Sequence, residues 1–248
     1  MENLEEAKNL VSEAKNIYII PEQSNKECLS TGLGLFYTLK DLDKNVNLII
    51  EDLPESLKFL TPSPDFITLP KNFVISIPDN VAKISQIYYE KNSENLKIHL
   101  TMESGNIKKD NISFYFSEPK PDLIITLGIK DYDLQLKNSL NAFGFLLDSP
   151  ILNIDEEPTG KGDRQTNKKF GKINLIGQQS VTETALSLVN NPRTDSVKKE
   201  AANCFLAGIA IYTENFSNSK ISPETFESAS TLMKKGGDLQ TIKNSLFK

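Results

Sequence analysis

Along this chain the spacing of apolar residues switches from helical to alternating and back again. Leu4, Ala7, Leu10, Val11 and Ala14 recur every three or four residues. That spacing predicts an amphipathic helix over residues 2–15. Ile17 to Ile20 form a short apolar run, expected to be a strand, and a polar loop follows from Pro21 to Lys26. A helix is predicted over about 27–43, with Leu29, Leu33, Phe36 and Leu39 on one face, and Val46 to Ile50 predicts a second strand. A helical turn then runs from Pro54 to Leu60. Strand, helix, strand in that order is the opening of a parallel sheet.

From about 61 to 119 the helical spacing stops. Residues 73–77, 84–89, 96–100 and 112–116 alternate apolar with polar, and turn-forming residues stand at 92–95 and 103–106. This predicts an antiparallel β insert of four short strands, attached to the main sheet as a small layer. The first rhythm then resumes. Leu123 to Leu127 is continuously apolar, as a strand buried on both faces would be. Residues 132–143 read as a helix, 151–154 and 172–176 as strands, 181–189 as a helix, and about 195–210 as a long helix. The long helix has Ala201, Ala202, Phe205, Leu206 and Ile209 on one face. Ser222-Pro223-Glu224 combines an N-cap, a proline at the first helical position and an acid at the positive helix end. Gly236-Gly237 closes that helix, and Asp238 caps a last one running through Leu246. The expected class is α/β: a parallel sheet flanked by helices, one domain over 1–248, with a β insert at about 61–119.

Composition narrows the function classes. With 248 residues, 38% hydrophobic and 25% charged, the chain can bury a sizeable core. A net charge of -5 supplies no global field for nucleic acid, so bulk nucleic-acid binding is not expected. No apolar run approaches the length of a membrane span, and the acidic, helical N-terminus lacks a signal-peptide pattern. A cytoplasmic protein without membrane contact is the expectation. Cys28 and Cys204 stand far apart in apolar, helix-like surroundings and read as buried free thiols. His99 is the single histidine, and alternation places it on the polar face of a strand. Histidine-based triads and imidazole metal sites therefore have almost no material here.

The candidate site begins where the apolar run Ile151–Ile154 ends in Asp155, Glu156 and Glu157. In open α/β sheets ligands bind at the carboxyl ends of the strands. As adjacent residues, Glu156 and Glu157 are expected to point apart. Beyond them lie Gly160-Lys161-Gly162, Arg164, Lys168, Lys169 and Lys172, a basic run able to meet a phosphate by point charge and Arg fork. The spacing is not that of a P-loop. In the insert, Tyr88, Tyr89, Phe114, Tyr115 and Phe116 read as core, as a protein interface or as a stacking platform for bases.

Several segments, covering about Ile17 to Leu53 and Asp122 to the C-terminus, together resemble the phosphoesterase family named for its Asp-His-His motif. They are Ser30-Thr31-Gly32-Leu33-Gly34-Leu35, Asn167 with Phe170-Gly171 and Ile173-Asn174-Leu175, and Ala207-Gly208-Ile209 to Phe216 followed by Pro223-Glu224-Thr225-Phe226 and Gly236. The resemblance implies hydrolysis of phosphoesters by two divalent metals, usually manganese, which need a bridging carboxylate and open positions. Position by position, the family's first histidine matches Pro21, and the two aspartates after it match Asn25 and Glu27. The bridging aspartate matches Gly128, the signature matches Asp155-Glu156-Glu157, and the last ligand matches Tyr212. Proline and glycine offer no ligating side chain, and a phenol titrating near 10 is a poor ligand at neutral pH. The resemblance also implies a second, C-terminal substrate domain, for which no motif is found before Lys248.

The expectation is thus a non-catalytic, phosphoesterase-like binding or assembly module with no cofactor. Its ligand-pocket candidates are Asn25, Glu27, Asp155, Glu156, Glu157, Arg164, Asn167 and Tyr212. Two alternatives stand beside it. One is a divergent phosphoesterase acting on nucleotides or short oligonucleotides, holding one Mg2+ or Mn2+ through Glu27, Asp155 and Glu156. The other is a nucleotide sensor without hydrolysis. An unknown protein partner, or a second copy of the chain, is expected at the insert, because open strand edges invite pairing.

Overall fold

Ile17, Tyr18, Ile19 and Ile20 form a run of large side chains with no charge, and none is exposed. The computed structural model describes residues 2–50, 52–61, 72–117, 121–130, 132, 149–157, 169–177, 179–189 and 196–247. Helix α1 (Glu2–Glu13) leads into strand β1 (Asn16–Pro21), helix α2 (Lys26–Asp41) and strand β2 (Asn45–Leu48). A 3-10 turn at Glu55–Leu60 precedes β3 (Asn72–Ser76), β4 (Ala82–Lys91), β5 (Leu96–Gly105) and β6 (Ser113–Ser117). There follow β7 (Leu123–Leu127), β8 (Ile151–Glu156), β9 (Ile173–Gly177), α3 (Val181–Val189), α4 (Lys199–Tyr212), α5 (Pro223–Lys234) and α6 (Leu239–Leu246). The helix predicted at 132–143 and the basic loop carrying Arg164 and Asn167 lie outside the described residues.

Five strands form one parallel sheet in the order β2-β1-β7-β8-β9. The fold class is α/β, with helices flanking this sheet. Because side chains alternate across a strand, Ile17 and Ile19 face one way and Tyr18 and Ile20 the other. The first face joins Ile17, Ile19, Ile125, Leu127, Leu152 and Ile154 to Leu33, Phe36, Phe205 and Ile209 in the main core. The second joins Tyr18, Ile20, Ile124, Ile129 and Ile151. Burial on both faces is why β7 reads as an apolar run broken only by the buried Thr126.

Helices α2 and α4 approach closely. A Cβ at Gly34 would stand 2.9 Å from the Phe205 ring, so only glycine lets this ring lie against the α2 backbone. Helix α5 starts as its sequence predicts, with Ser222 and Thr225 forming a capping box and Pro223 in the first turn. Helix α4 starts at Lys199, later than predicted, because its cap, Lys198, is extended and provides no side-chain hydrogen bond.

The chain divides into a larger unit, residues 1–69 and 120–248, and a smaller one, 70–119. Within the smaller unit β3 pairs antiparallel with β6, and β4 with β5. The predicted turn at 92–95 is present, with Asn92 Oδ1 accepting from the N–H groups of Glu94 and Asn95. The turn predicted at 103–106 is not. Pairing with β4 carries β5 on to Gly105, which lies opposite Ala82 at a φ of +90°.

Candidate functional site

The register of the sheet places Pro21, Leu127 and Ile154 side by side at the carboxyl ends of β1, β7 and β8. The next residues are tied in the same way. Glu22 N–H donates to Leu127 O at 2.9 Å, and Gly128 N–H to Ile154 O at 2.9 Å. Here the N-terminal ends of α2 and α3 and the C-terminal end of α4 meet through Glu27, Thr182 and Tyr212.

Asn25 and Glu27 are committed to helix ends. Asn25 is the N-cap of α2, and its Oδ1 accepts from the N–H groups of Glu27 at 2.9 Å and Cys28 at 3.3 Å. Glu27 is buried, and its Oε1 accepts from Thr182 N–H at 3.1 Å and Thr182 Oγ1 at 3.0 Å. A carboxylate in the first turn of α3 satisfies one of that helix's unpaired donors and complements its dipole. The Thr182 hydroxyl also meets Thr31 Oγ1 at 2.8 Å, and a Cβ at Gly208 would stand 2.5 Å from it. Burial lifts the Glu27 carboxyl to about 7; the Thr182 donors pull it down, the nearby Glu156 charge pushes it up and Lys220 pulls it down.

Gly128 is closed to a side chain in two ways. Its φ of +70° is left-handed, a region in which other residues are strained, and a Cβ there would stand 2.5 Å from Cys28 Sγ. Cys28 is a buried free thiol whose pKa burial raises well above the usual range. Pro21 ends β1 as packing: its ring lies 3.6 Å from where a Cβ on Gly32 would stand.

The three acids at the end of β8 separate, as strand alternation requires. Asp155 is buried, and its Oδ1 accepts from Glu156 N–H at 2.8 Å. Its Oδ2 is buried with no hydrogen-bond partner among the described residues. Burial raises the Asp155 pKa, while the Glu156 N–H and the Lys130 charge lower it and the Glu156 charge raises it. Glu156 reaches the other way. Its Oε1 accepts from Tyr212 Oη at 3.0 Å and Lys220 Nζ at 3.2 Å. The Lys220 ammonium also lies 4.3 Å from the Tyr212 ring centroid, a cation–π distance. Burial, the hydrogen bond to Glu156 and the surrounding carboxylates raise the Tyr212 phenol, so it stays protonated and donates. Glu157 is exposed and contributes its backbone N–H to Gly177 O at 2.8 Å.

The structure thus brings Glu27, Asp155, Glu156 and Tyr212 to one end of the sheet, with Asn25 beside them and Glu157 turned away. Among the described residues no three His, Cys, Asp or Glu side chains could together hold a metal ion. Among the described residues, Gly128 has no room for a side chain, Asn25 and Glu27 Oε1 accept from helix N–H groups, and Glu156 is held by a phenol and an ammonium. Sequence reasoning missed Lys220, Thr182 and Cys28. Only Thr182 had a local signal: it lies within Ser180-Val181-Thr182-Glu183, a capping-box spacing, and Ser180 and Glu183 do bond reciprocally.

Of the insert's aromatics, Tyr88 and Tyr89 lie on opposite faces of the β4–β5 ribbon. Tyr88 stacks on His99, with centroids 4.5 Å apart, while Tyr89 is paired in register with Ile98. No helix among the described residues is long and apolar enough to cross a membrane. A groove of about 620 Å³, lined by Tyr37, Asp41, Phe59, Leu60, Lys199 and Asn203, includes none of the candidate residues.

No protein-family model matches the chain, and no curated protein matches it either. Solved structures do. An exopolyphosphatase-related protein from Bacteroides fragilis superposes with a TM-score of 0.65 at 16% identity, over 99% of this chain and 60% of that one. A putative family II inorganic pyrophosphatase from Methanococcus jannaschii gives 0.48 at 12% identity, over 92% of this chain and 61% of that one. Exonuclease RecJ bound to manganese gives 0.40 at 11% identity, over 98% of this chain and 55% of that one. The first establishes a shared fold, an α/β architecture with a parallel sheet flanked by helices. The chain covers less than two thirds of each of these structures.

Proposed function

We propose that this chain is a non-catalytic, phosphoesterase-like protein that acts as a binding or assembly module. The observation that supports this reading is the direct contact of Glu156 with Tyr212 and Lys220. By the resemblance, Glu156 and Tyr212 stand at two metal-ligand positions. Here they bond to each other, and a side-chain ammonium supplies the positive charge that an ion would bring. Two-metal hydrolysis requires a bridging carboxylate and open coordination sites, and Gly128 and the Glu156 contacts provide neither.

One observation favours a second reading. Among the described residues nothing donates to the buried Asp155 Oδ2, and a single hard ion, Mg2+ or Mn2+, is the kind of partner such an oxygen takes. Calorimetric titration of the purified chain with manganese, run beside an assay on bis-(p-nitrophenyl) phosphate and a short oligonucleotide, separates the two. The first reading expects no saturable site and no turnover. Saturable binding with turnover, both abolished in Asp155→Asn, would replace it with the second.

A further inference from the structure

The pairing of β4 with β5 sorts their side chains into two unlike faces. Ile87 lies opposite Leu100, Tyr89 opposite Ile98 and Lys91 opposite Leu96. Directly opposed residues share a face, so Ile87, Tyr89, Leu96, Ile98 and Leu100 form one apolar strip. The register shifts between Ile84 and Gln86, leaving Ser85 as an extra residue and placing Ile84 opposite Met102. That bulge turns Ile84 onto the apolar strip, from which plain alternation would exclude it. The other face carries Gln86, Tyr88 and Glu90 opposite Thr101, His99 and Lys97. Such alternation is the pattern of a sheet with one buried and one wet face. Yet the apolar side stands open: Ile87 is 69% exposed, Tyr89 73%, Leu96 61%, Ile98 48% and Met102 45%.

We propose that a second copy of this chain covers this strip, the apolar faces of two β4–β5 ribbons packing on one another across a two-fold axis. Three considerations choose a second copy. A two-stranded ribbon is marginal alone in water and needs a layer on its apolar face. The strip offers a partner little charge to read, since its one charged member, Lys91, stands at its end, whereas a flat, largely uncharged strip fits another of its own kind, as sheets stack face to face. The area comes close to what a stable dimer needs. At 150–250 Å² for a large buried side chain, the five exposed residues leave on the order of 500 Å² per copy. Two strips in contact remove about 1,000 Å² before their neighbours count, close to the roughly 1,200 Å² at which specific interfaces begin. The proposal is independent of whether the strand-end site binds a metal.

Sedimentation equilibrium of the full chain tests it. The expected result is a dimer whose association weakens about thirty-fold or more in Ile87→Asp, the loss of a central interface side chain, and is unchanged in Gln86→Asp on the opposite face. Tyr89→Ala, which adds no charge to the ribbon, is expected to weaken it at least about tenfold. A chain that is monomeric at about 100 μM, a dissociation constant weaker than about 10⁻⁴ M, overturns the proposal. So does a dimer that survives both Ile87→Asp and Tyr89→Ala, or one that Gln86→Asp dissolves equally.

Discussion

The parallel sheet and the β4–β5 ribbon are written in different codes. Strands β1, β7 and β8 are buried on both faces, and helices and neighbouring strands of the same unit cover them. Several polar groups caught inside that unit are paired across long sequence distances: Glu27 with Thr182, Thr126 with Asn153, Tyr37 with the Leu60 carbonyl. The ribbon alternates apolar with polar along both strands, and five large apolar side chains of one face remain exposed. The first pattern is satisfied within one chain. The second encodes a buried face that the described residues do not bury.

Breaking the first region should cost most. Phe205→Ala removes a fully buried ring packed on Gly34, and is expected to lower unfolding free energy in urea by about 3–5 kcal/mol. That is a large part of the roughly 5–15 kcal/mol that holds a domain together.

Next comes the buried acid. With its folded pKa raised from 4.5 to about 7, Glu27 binds its proton more tightly in the native state than in the unfolded chain. Its contribution to stability is therefore fully present below about pH 4.5 and is lost as pH rises through 7. Glu27→Gln keeps an oxygen for Thr182 and carries no charge. It should stabilise the protein at pH 8 by up to about 3 kcal/mol and flatten melting temperature against pH between 4.5 and 7. An unchanged slope would mean that Glu27 is ionised in the fold.

A smaller loss tests whether Asn25 serves as a helix cap. Asn25→Ala should cost about 1 kcal/mol in thermal unfolding. The smallest effect belongs to the ribbon. In dilute solution Ile87→Ser should move the unfolding transition of the parallel-sheet unit by less than about 0.5 kcal/mol, the usual range for a surface change. A larger shift would erase the contrast between the two regions.

Much of the architecture was legible because the relevant signals are local. The switch from helical to alternating spacing near residue 72 and back near 123, the capping residues Ser222 and Asp238, and the largely apolar β7 all follow from residues a few positions apart. The site was legible only as a place. Asp155 at the end of β8 and Glu27 in the first turn of α2 were found from the order of strands and helices and from the matched motif. Their partners were not. Lys220 lies 64 residues from Glu156, in a loop with no distinguishing pattern. Nothing near Gly128 announces that Cys28 fills the space a carboxylate would need.

By itself, then, the sequence determined which stretches are strands and helices, where several helices begin, and that the chemistry would gather at one end of a parallel sheet. Those outcomes depend on the period of side chains along the backbone. Tertiary structure alone decided that the Glu27 carboxylate meets an N–H 155 residues away, that Glu156 is held by Tyr212 and Lys220, and that one face of the β4–β5 ribbon is left open. Such pairings depend on which elements the strand order brings together, and on a one-residue bulge that turns Ile84 across the ribbon, neither of which leaves a mark in the local spacing of residues.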